Sequence, residues 1–201
     1  MIAIETKRIS EVVRPGDIIV THNKISLISK VIEEYERGTS NNKYPLYPSH
    51  VVQVYDNYYC IDQVFPFSKL TALSNYLDFY HEVLVIRPKM TEEETISIIN
   101  LMRKDVGIVY DIIQLIGFIF QYISYKLFKK KVINYLDIKH ASVCSSNISK
   151  RLKKISERFD LSKYEFKKNA GLVTPLDFIR VSQMDNNFEI IDGTGKFKKI
   201  L

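Results

Sequence analysis

Tryptophan is absent from the 201 residues, and only two cysteines, six prolines and seven glycines occur. Two cysteines, Cys60 and Cys144, are too few for a disulfide framework, and a chain of this length can bury a core without one. Free thiols in a reducing compartment are therefore expected. Scarce glycine and proline argue against a sandwich built mostly of tight turns. No CxxC or HExxH spacing is present, so no metal site is expected, and no GxxxxGK[ST] or GxGxxG loop offers a phosphate cradle. No cofactor is expected either. A membrane span needs about 18 uninterrupted apolar residues. The nearest approach, Val106 to Phe128, carries Asp111, Gln114, Gln121 and Lys126. It reads as a buried or half-buried helix, with a membrane-surface helix as the second reading. The opening MIAIETKRISEVV lacks the basic-then-apolar order of a signal peptide. The expected location is cytoplasmic, with contact at a membrane surface as the alternative.

What is present points to a globular chain. Hydrophobic residues make up 46% and charged residues 26%, enough apolar surface to fold and too little charge imbalance for disorder. The net charge of +6 permits an anionic partner without selecting one. The lysines between Lys126 and Lys154 read first as a solvated helix face. Nucleic acid is disfavoured as a partner because no aromatic stacking platform is interleaved with them. Nothing in the pattern fixes an oligomeric state.

Arg14-Pro15-Gly16-Asp17 reads as a turn leading into a strand, Asp17 to Thr21. Apolar residues recur at helical spacing from Lys24 to Glu36. Ser49 to Tyr55 and Tyr58 to Phe65 are rich in β-branched and aromatic residues, with Asp56-Asn57 between them as a hairpin turn. Glu82 to Arg87 is a further strand. Thr91-x-x-Glu94 is a capping box opening a helix to about Lys104. Lys129 to His140 reads as a loop, Ser142 to about Phe159 as an amphipathic helix, and Pro175 as the first turn of another helix. Residues 185–201 read as a C-terminal hairpin. The expectation is one α+β domain over 1–201, with a small antiparallel sheet or barrel packed against helices.

Three residues suggest chemistry. A thiol becomes a strong nucleophile when its pKa is lowered or a base removes its proton. Cys144 stands at an expected helix start, where free N–H groups and the helix dipole favour a negative sulfur and can hold an oxyanion. Its bland alternative is a buried structural cysteine. His50 heads a strand whose face it shares with Val52 and Val54. Its bland alternative is a surface or hydrogen-bonded histidine. A turn at Asp56-Asn57 puts position 50 across from about 62 or 63, so Asp62 can orient the imidazole as the acid of a Cys–His–acid triad. Ser145, Ser49, Tyr47 and Tyr110 are the candidate oxyanion and cleft residues, the tyrosines also suiting a core. Cys60 shares a strand face with Asp62 and either borders the site or packs. His140 falls in a loop, and His22 and His81 lack a partner pattern.

The order Gly16-Asp17-Ile18-Ile19-Val20, Ser49-His50-Val51-Val52-Gln53-Val54, Cys60-Ile61-Asp62-Gln63, Tyr110-Asp111 and Cys144-Ser145-Ser146 resembles the permuted papain-like amidases of the YiiX type. These belong to the NlpC superfamily of cysteine hydrolases, of which lecithin:retinol acyltransferase is a cousin. The resemblance spans roughly residues 14 to 155. It implies a circularly permuted papain-like fold with Cys144 as nucleophile, His50 as base and Asp62 as orienting acid. It also implies an amide or ester bond in a small molecule, peptide, lipid or cell-wall polymer as the target. The sequence departs from the pattern with Asp62 where Glu is commoner and with polar Asn147 after the cysteine. Residues 122–143 exceed a minimal connection and suit a lid or insertion. The alternative is a catalytically inactive papain-like module that binds an anionic or lipid partner.

Overall fold

The computed structural model describes residues 2–25, 27–40, 43–78, 81–109, 144–164 and 173–200. Tyr110, His140, the lid expected at 122–143 and most of the apolar segment expected to be helical lie outside them. The described residues build an α+β fold on one six-stranded antiparallel sheet. Its strands are β1 (Ile18–Asn23), β2 (His50–Val54), β3 (Tyr59–Gln63), β4 (Ser68–Ala72), β5 (His81–Pro88) and β6 (Phe188–Gly193), in spatial order β4-β3-β2-β1-β5-β6. The helices are α1 (Ile2–Val12), α2 (Leu27–Thr39), α3 (Glu92–Asp105), α4 (Cys144–Ile155) and α5 (Pro175–Met184).

The central strands are apolar without interruption, Ile18-Ile19-Val20 and Val83-Leu84-Val85-Ile86, because both faces of the sheet are covered. On one face Ile18, Val20, Val51, Ile61, Leu84 and Ile86 pack with Ile98 and Met102 of α3, Ile148 and Leu152 of α4, and Phe178 of α5. On the other, Ile19, Val52, Val54, Cys60, Val83 and Val85 pack with Ile9 of α1 and with Leu73, Tyr76 and Leu77. Each fully buried aliphatic or Phe side chain contributes about 1.5–3 kcal/mol, so this double core supplies the main drive for folding.

Local rules fix the ends of these elements. Gly16 turns with φ of +91° and donates to the Val54 carbonyl at 2.8 Å. A Cβ there would stand 2.3 Å from the terminal Met90 Cε, which can swing aside, so it is the positive φ that calls for glycine. Asp17 caps the same turn and is held by Arg87 Nε and Nη2 at 2.8 and 2.7 Å. Helix α3 opens with the Thr91–Glu94 capping box, and α5 opens with Pro175 in its first turn. Glu36 of α2 accepts from the Leu176 N–H at 3.0 Å and so ties α2 to the start of α5.

Three elements differ from the sequence expectation. Helix α1 and edge strand β4 were not expected; β4 carries no apolar alternation, its buried residue being Ser68 at one end. The C-terminal hairpin does not form: β6 pairs with β5 instead, and residues 195–199 make a short 3-10 helix. Thr194 donates its N–H to the Val83 carbonyl and accepts from the Val83 N–H through Oγ1. The chain then coils to bury Phe197 completely, which an extended return strand would not do. Among the described residues no helix is long and apolar enough to cross a membrane.

Candidate active site

His50 and Asp62 are brought together by the β2–β3 hairpin. Asp56 closes it by accepting from the Tyr58 and Tyr59 N–H groups at 2.8 and 2.7 Å. Gln53 then faces Ile61, and Val54 faces Cys60. The paired positions sum to 114, so position 50 falls across from 64, one residue beyond 63 and two beyond 62, and the imidazole reaches Asp62 diagonally on the shared face. His50 Nε2 lies 2.7 Å from Asp62 Oδ1. The Tyr76 hydroxyl, from the 3-10 turn Leu73–Tyr76, donates to Asp62 Oδ2. Both carboxylate oxygens are thereby engaged. Burial alone would raise the Asp62 pKa, yet the His50 charge and the two hydrogen bonds hold it below its ordinary value. Burial raises the pKa of the Tyr76 hydroxyl, and the anionic Asp62 that accepts its hydrogen bond raises it further.

Cys144 is the first residue of α4 and is buried to 8% exposure. The Val51 N–H and the His50 imidazole are near enough to its sulfur to favour the ionised form. With Nε2 committed to Asp62, Nδ1 is the ring nitrogen left for another partner. Burial opposes both ionised forms. The His50 charge nevertheless brings the thiol below its ordinary value, and the charges of Cys144 and Asp62 hold the imidazole well above its own. Both shifts run in the direction of a thiolate beside an imidazolium.

Helix α4 is bolted to the strands that carry the other two groups. Positions 144, 147, 148 and 151 form one stripe of the helix. Asn147 Nδ2 donates to Gln63 Oε1 at 3.0 Å, next to Asp62 in sequence. Arg151 donates to Gln53 Oε1 at 3.0 Å and to Asp105 Oδ2 at 2.9 Å. Gln53 in turn donates to the Gly16 carbonyl at 3.3 Å. The serines Ser145, Ser146 and Ser149 are buried, which lets the helix lie close to its neighbours.

The remaining sequence candidates divide. Ser49 lines the cleft above His50, its N–H bound to the Thr21 carbonyl at 2.8 Å. Ser145 sits beside Cys144, but its hydroxyl is spent on the Val173 carbonyl at 2.6 Å. Tyr47 belongs to the core: it is 1% exposed, and its hydroxyl accepts from Ser40 and from the Tyr44 N–H. Cys60 packs on the opposite face of the sheet from α4 and its thiol is pushed up by burial. His22 binds Glu33 at 2.8 Å, and His81 binds Asp78 at 2.6 Å. Tyr76, Gln63 and Arg151 escaped the sequence reading. Their partners are 14 to 98 positions away, and no local pattern marks them. A cleft of about 590 Å³ opens over the three groups and is lined by Cys144, His50, Asp62 and Tyr76, with Lys69 and Phe65 among the others.

No family model matches the chain. No curated protein matches it. Among solved structures it is similar to one described as the metalloprotein YiiX from Escherichia coli O157:H7, at 14% identity over 90% of this chain and 97% of that one, with a TM-score of 0.44. Among the described residues, no group of three or more His, Cys, Asp or Glu side chains is placed to hold a metal ion.

Proposed function

We propose that the protein is a thiol-dependent hydrolase or acyltransferase of the permuted papain-like, YiiX-type arrangement within the NlpC superfamily, acting on an amide or ester bond. One juxtaposition carries this reading: a single imidazole, His50, lies 2.7 Å from Asp62 Oδ1 and lines the same cleft as Cys144, whose thiol its charge draws below the ordinary value. An isolated structural cysteine has no use for such a partner.

In the proposed reaction the Cys144 thiolate attacks the carbonyl carbon, forming a C–S bond and moving the carbonyl π electrons onto oxygen. First-turn N–H groups of α4 stabilise that oxyanion. As the tetrahedral species collapses, the C–N or C–O bond breaks and the leaving amine or alcohol takes the His50 Nδ1 proton. A thioester remains. Water, or an acceptor amine or alcohol, then gives a proton back to His50 as it attacks, and expulsion of the thiolate releases the acid or the transferred acyl product. Asp62 keeps Nε2 protonated and Nδ1 directed at sulfur, and Tyr76 keeps Asp62 in place. Substrates in this reading are small molecules, peptides or lipids that present an acyl bond.

The test is the pH dependence of Cys144 alkylation by iodoacetamide in a Cys60→Ala background. Because the thiol pKa is lowered, labelling is expected to stay fast well below pH ~8.5, the midpoint of an ordinary thiol. His50→Ala is expected to move that midpoint up and slow neutral-pH labelling at least about tenfold, the scale of one lost charge-assisted contact. An ordinary thiol profile indifferent to His50 would overturn the proposal and leave a module that binds an anionic or lipid partner.

A further inference from the structure

Lys69 lies on β4 directly opposite Asp62 of β3. Side chains paired in this way leave the sheet on one face with β-carbons about 5 Å apart. The order across that face is therefore Lys69, Asp62 and, diagonally, His50. Lys69 is exposed, lines the same cleft as Cys144, and is near enough to help keep Asp62 ionised.

The other charged groups of the cleft are occupied. Asp62 is shared by His50 and Tyr76, and His81 is held by Asp78 at 2.6 Å. At the nearby ends of β1 and β5, Lys24 pairs with Glu82 at 3.8 Å. Lys69 forms no ion pair among the described residues. The rest of the lining is neutral, with hydroxyls and amides from Thr21, Ser49, Thr71 and Asn75 and apolar surface from Ile32 and Phe65. With Asp62 already engaged by His50 and Tyr76, an ammonium at the rim of a concave, partly apolar site adds an attraction for an anion that enters.

From this placement we infer that the cleft takes acyl substrates bearing an anionic group, a carboxylate or a phosphate, which Lys69 holds on the Asp62 side of the reacting carbonyl. The inference rests on the proposed thiol chemistry and adds a substrate class to it. An ammonium is a compact point charge with three donors, so it accepts either anion. The apolar surface of Phe65 and Ile32 suits the uncharged part of the acyl compound.

The experiment compares Cys144 alkylation rates, in Cys60→Ala protein at low salt, by four iodoacetamides matched in length. They are made from ethanolamine (neutral), β-alanine (carboxylate), O-phosphoethanolamine (phosphate) and ethylenediamine (cationic). The quantity read is each charged probe's rate divided by the neutral probe's rate, which removes changes in thiol reactivity. At least one anionic probe is expected to exceed the neutral one. That ratio should fall about fivefold in Lys69→Met, the scale of one exposed charge pair, and Lys69→Glu should favour the cationic probe. Lys104→Met, an exposed lysine on α3, should leave the ratio alone. A preference for β-alanine identifies a carboxylate and a preference for phosphoethanolamine a phosphate. Ratios unmoved by both Lys69 variants would overturn the inference. Failure of the thiol proposal would show separately, as a neutral-probe profile indifferent to His50→Ala. The ratios would then be read above pH ~9, where an ordinary thiol ionises, and would still decide the role of Lys69.

Discussion

The middle of β3 and the start of α4 each hold a cysteine that is almost fully buried, Cys60 and Cys144, and the two thiols are driven in opposite directions. Cys60 is surrounded by Val52, Val54, Leu73 and Tyr76 of one core layer and donates to the Thr71 carbonyl at 3.4 Å. Burial and the negative charge of Asp62 both raise its pKa. Cys144 feels the same burial and a repulsion from the same Asp62, but His50 stands beside its sulfur and reverses the outcome. Burial is common to both sites, so it does not decide reactivity. A positive neighbour with its own anionic support does.

The contrast can be broken most forcefully at Arg151, which holds α4 against β2 and α3. Arg151→Met strands the buried Gln53 amide and the half-buried Asp105 carboxylate. It is expected to lower unfolding stability by about 3–5 kcal/mol, the usual cost of removing one partner of a buried pair, as measured by urea denaturation. A loss under about 1 kcal/mol would mean that apolar packing alone docks the nucleophile's helix. A smaller effect is expected for Asp62→Asn. Asp62 favours the imidazolium, so its neutralisation should lower the pH at which His50 loses its proton, followed by the His50 Cε1–H NMR shift. The range in which thiolate and imidazolium coexist then narrows from its alkaline side. Neutral-pH labelling of Cys144 should drop about tenfold, the scale of one hydrogen bond to a charged group. An unchanged His50 titration would show that Tyr76 and Asp62 serve packing only. The smallest effect belongs to Cys60→Ala, which should cost about 1 kcal/mol of stability and leave the Cys144 pH profile as it was.

Much of this arrangement was legible in the residues because it depends on short-range rules. Asp56-Asn57 between two β-branched runs announces a hairpin, and its observed register, with paired positions summing to 114, puts His50 and Asp62 on one face. Thr91-x-x-Glu94 and Pro175 announce two helix starts by capping chemistry, and the structure contains both. The unread features are those decided by distant partners. Edge strand β4 has only one buried side chain, so its sequence lacks the alternation that marks a half-buried strand. Tyr76 looks like any core aromatic until its hydroxyl meets Asp62. The final residues carry hairpin signals at Gly193 and Gly195, but the vacancy beside β5 and the burial of Phe197 outweigh them. Asn147 reads as an oddity among helix residues, and only Gln63, 84 positions earlier, gives it a purpose.

The order of the groups along the chain has a consequence in time. His50 and Asp62 share one hairpin whose partner strands β1 and β4 lie within the first 72 residues, whereas the sulfur comes at position 144. At a synthesis rate of 5–20 residues per second, the base and acid precede the nucleophile by roughly 4 to 16 seconds. A nascent chain thus carries the proposed base and acid for some seconds before it carries the sulfur that would use them.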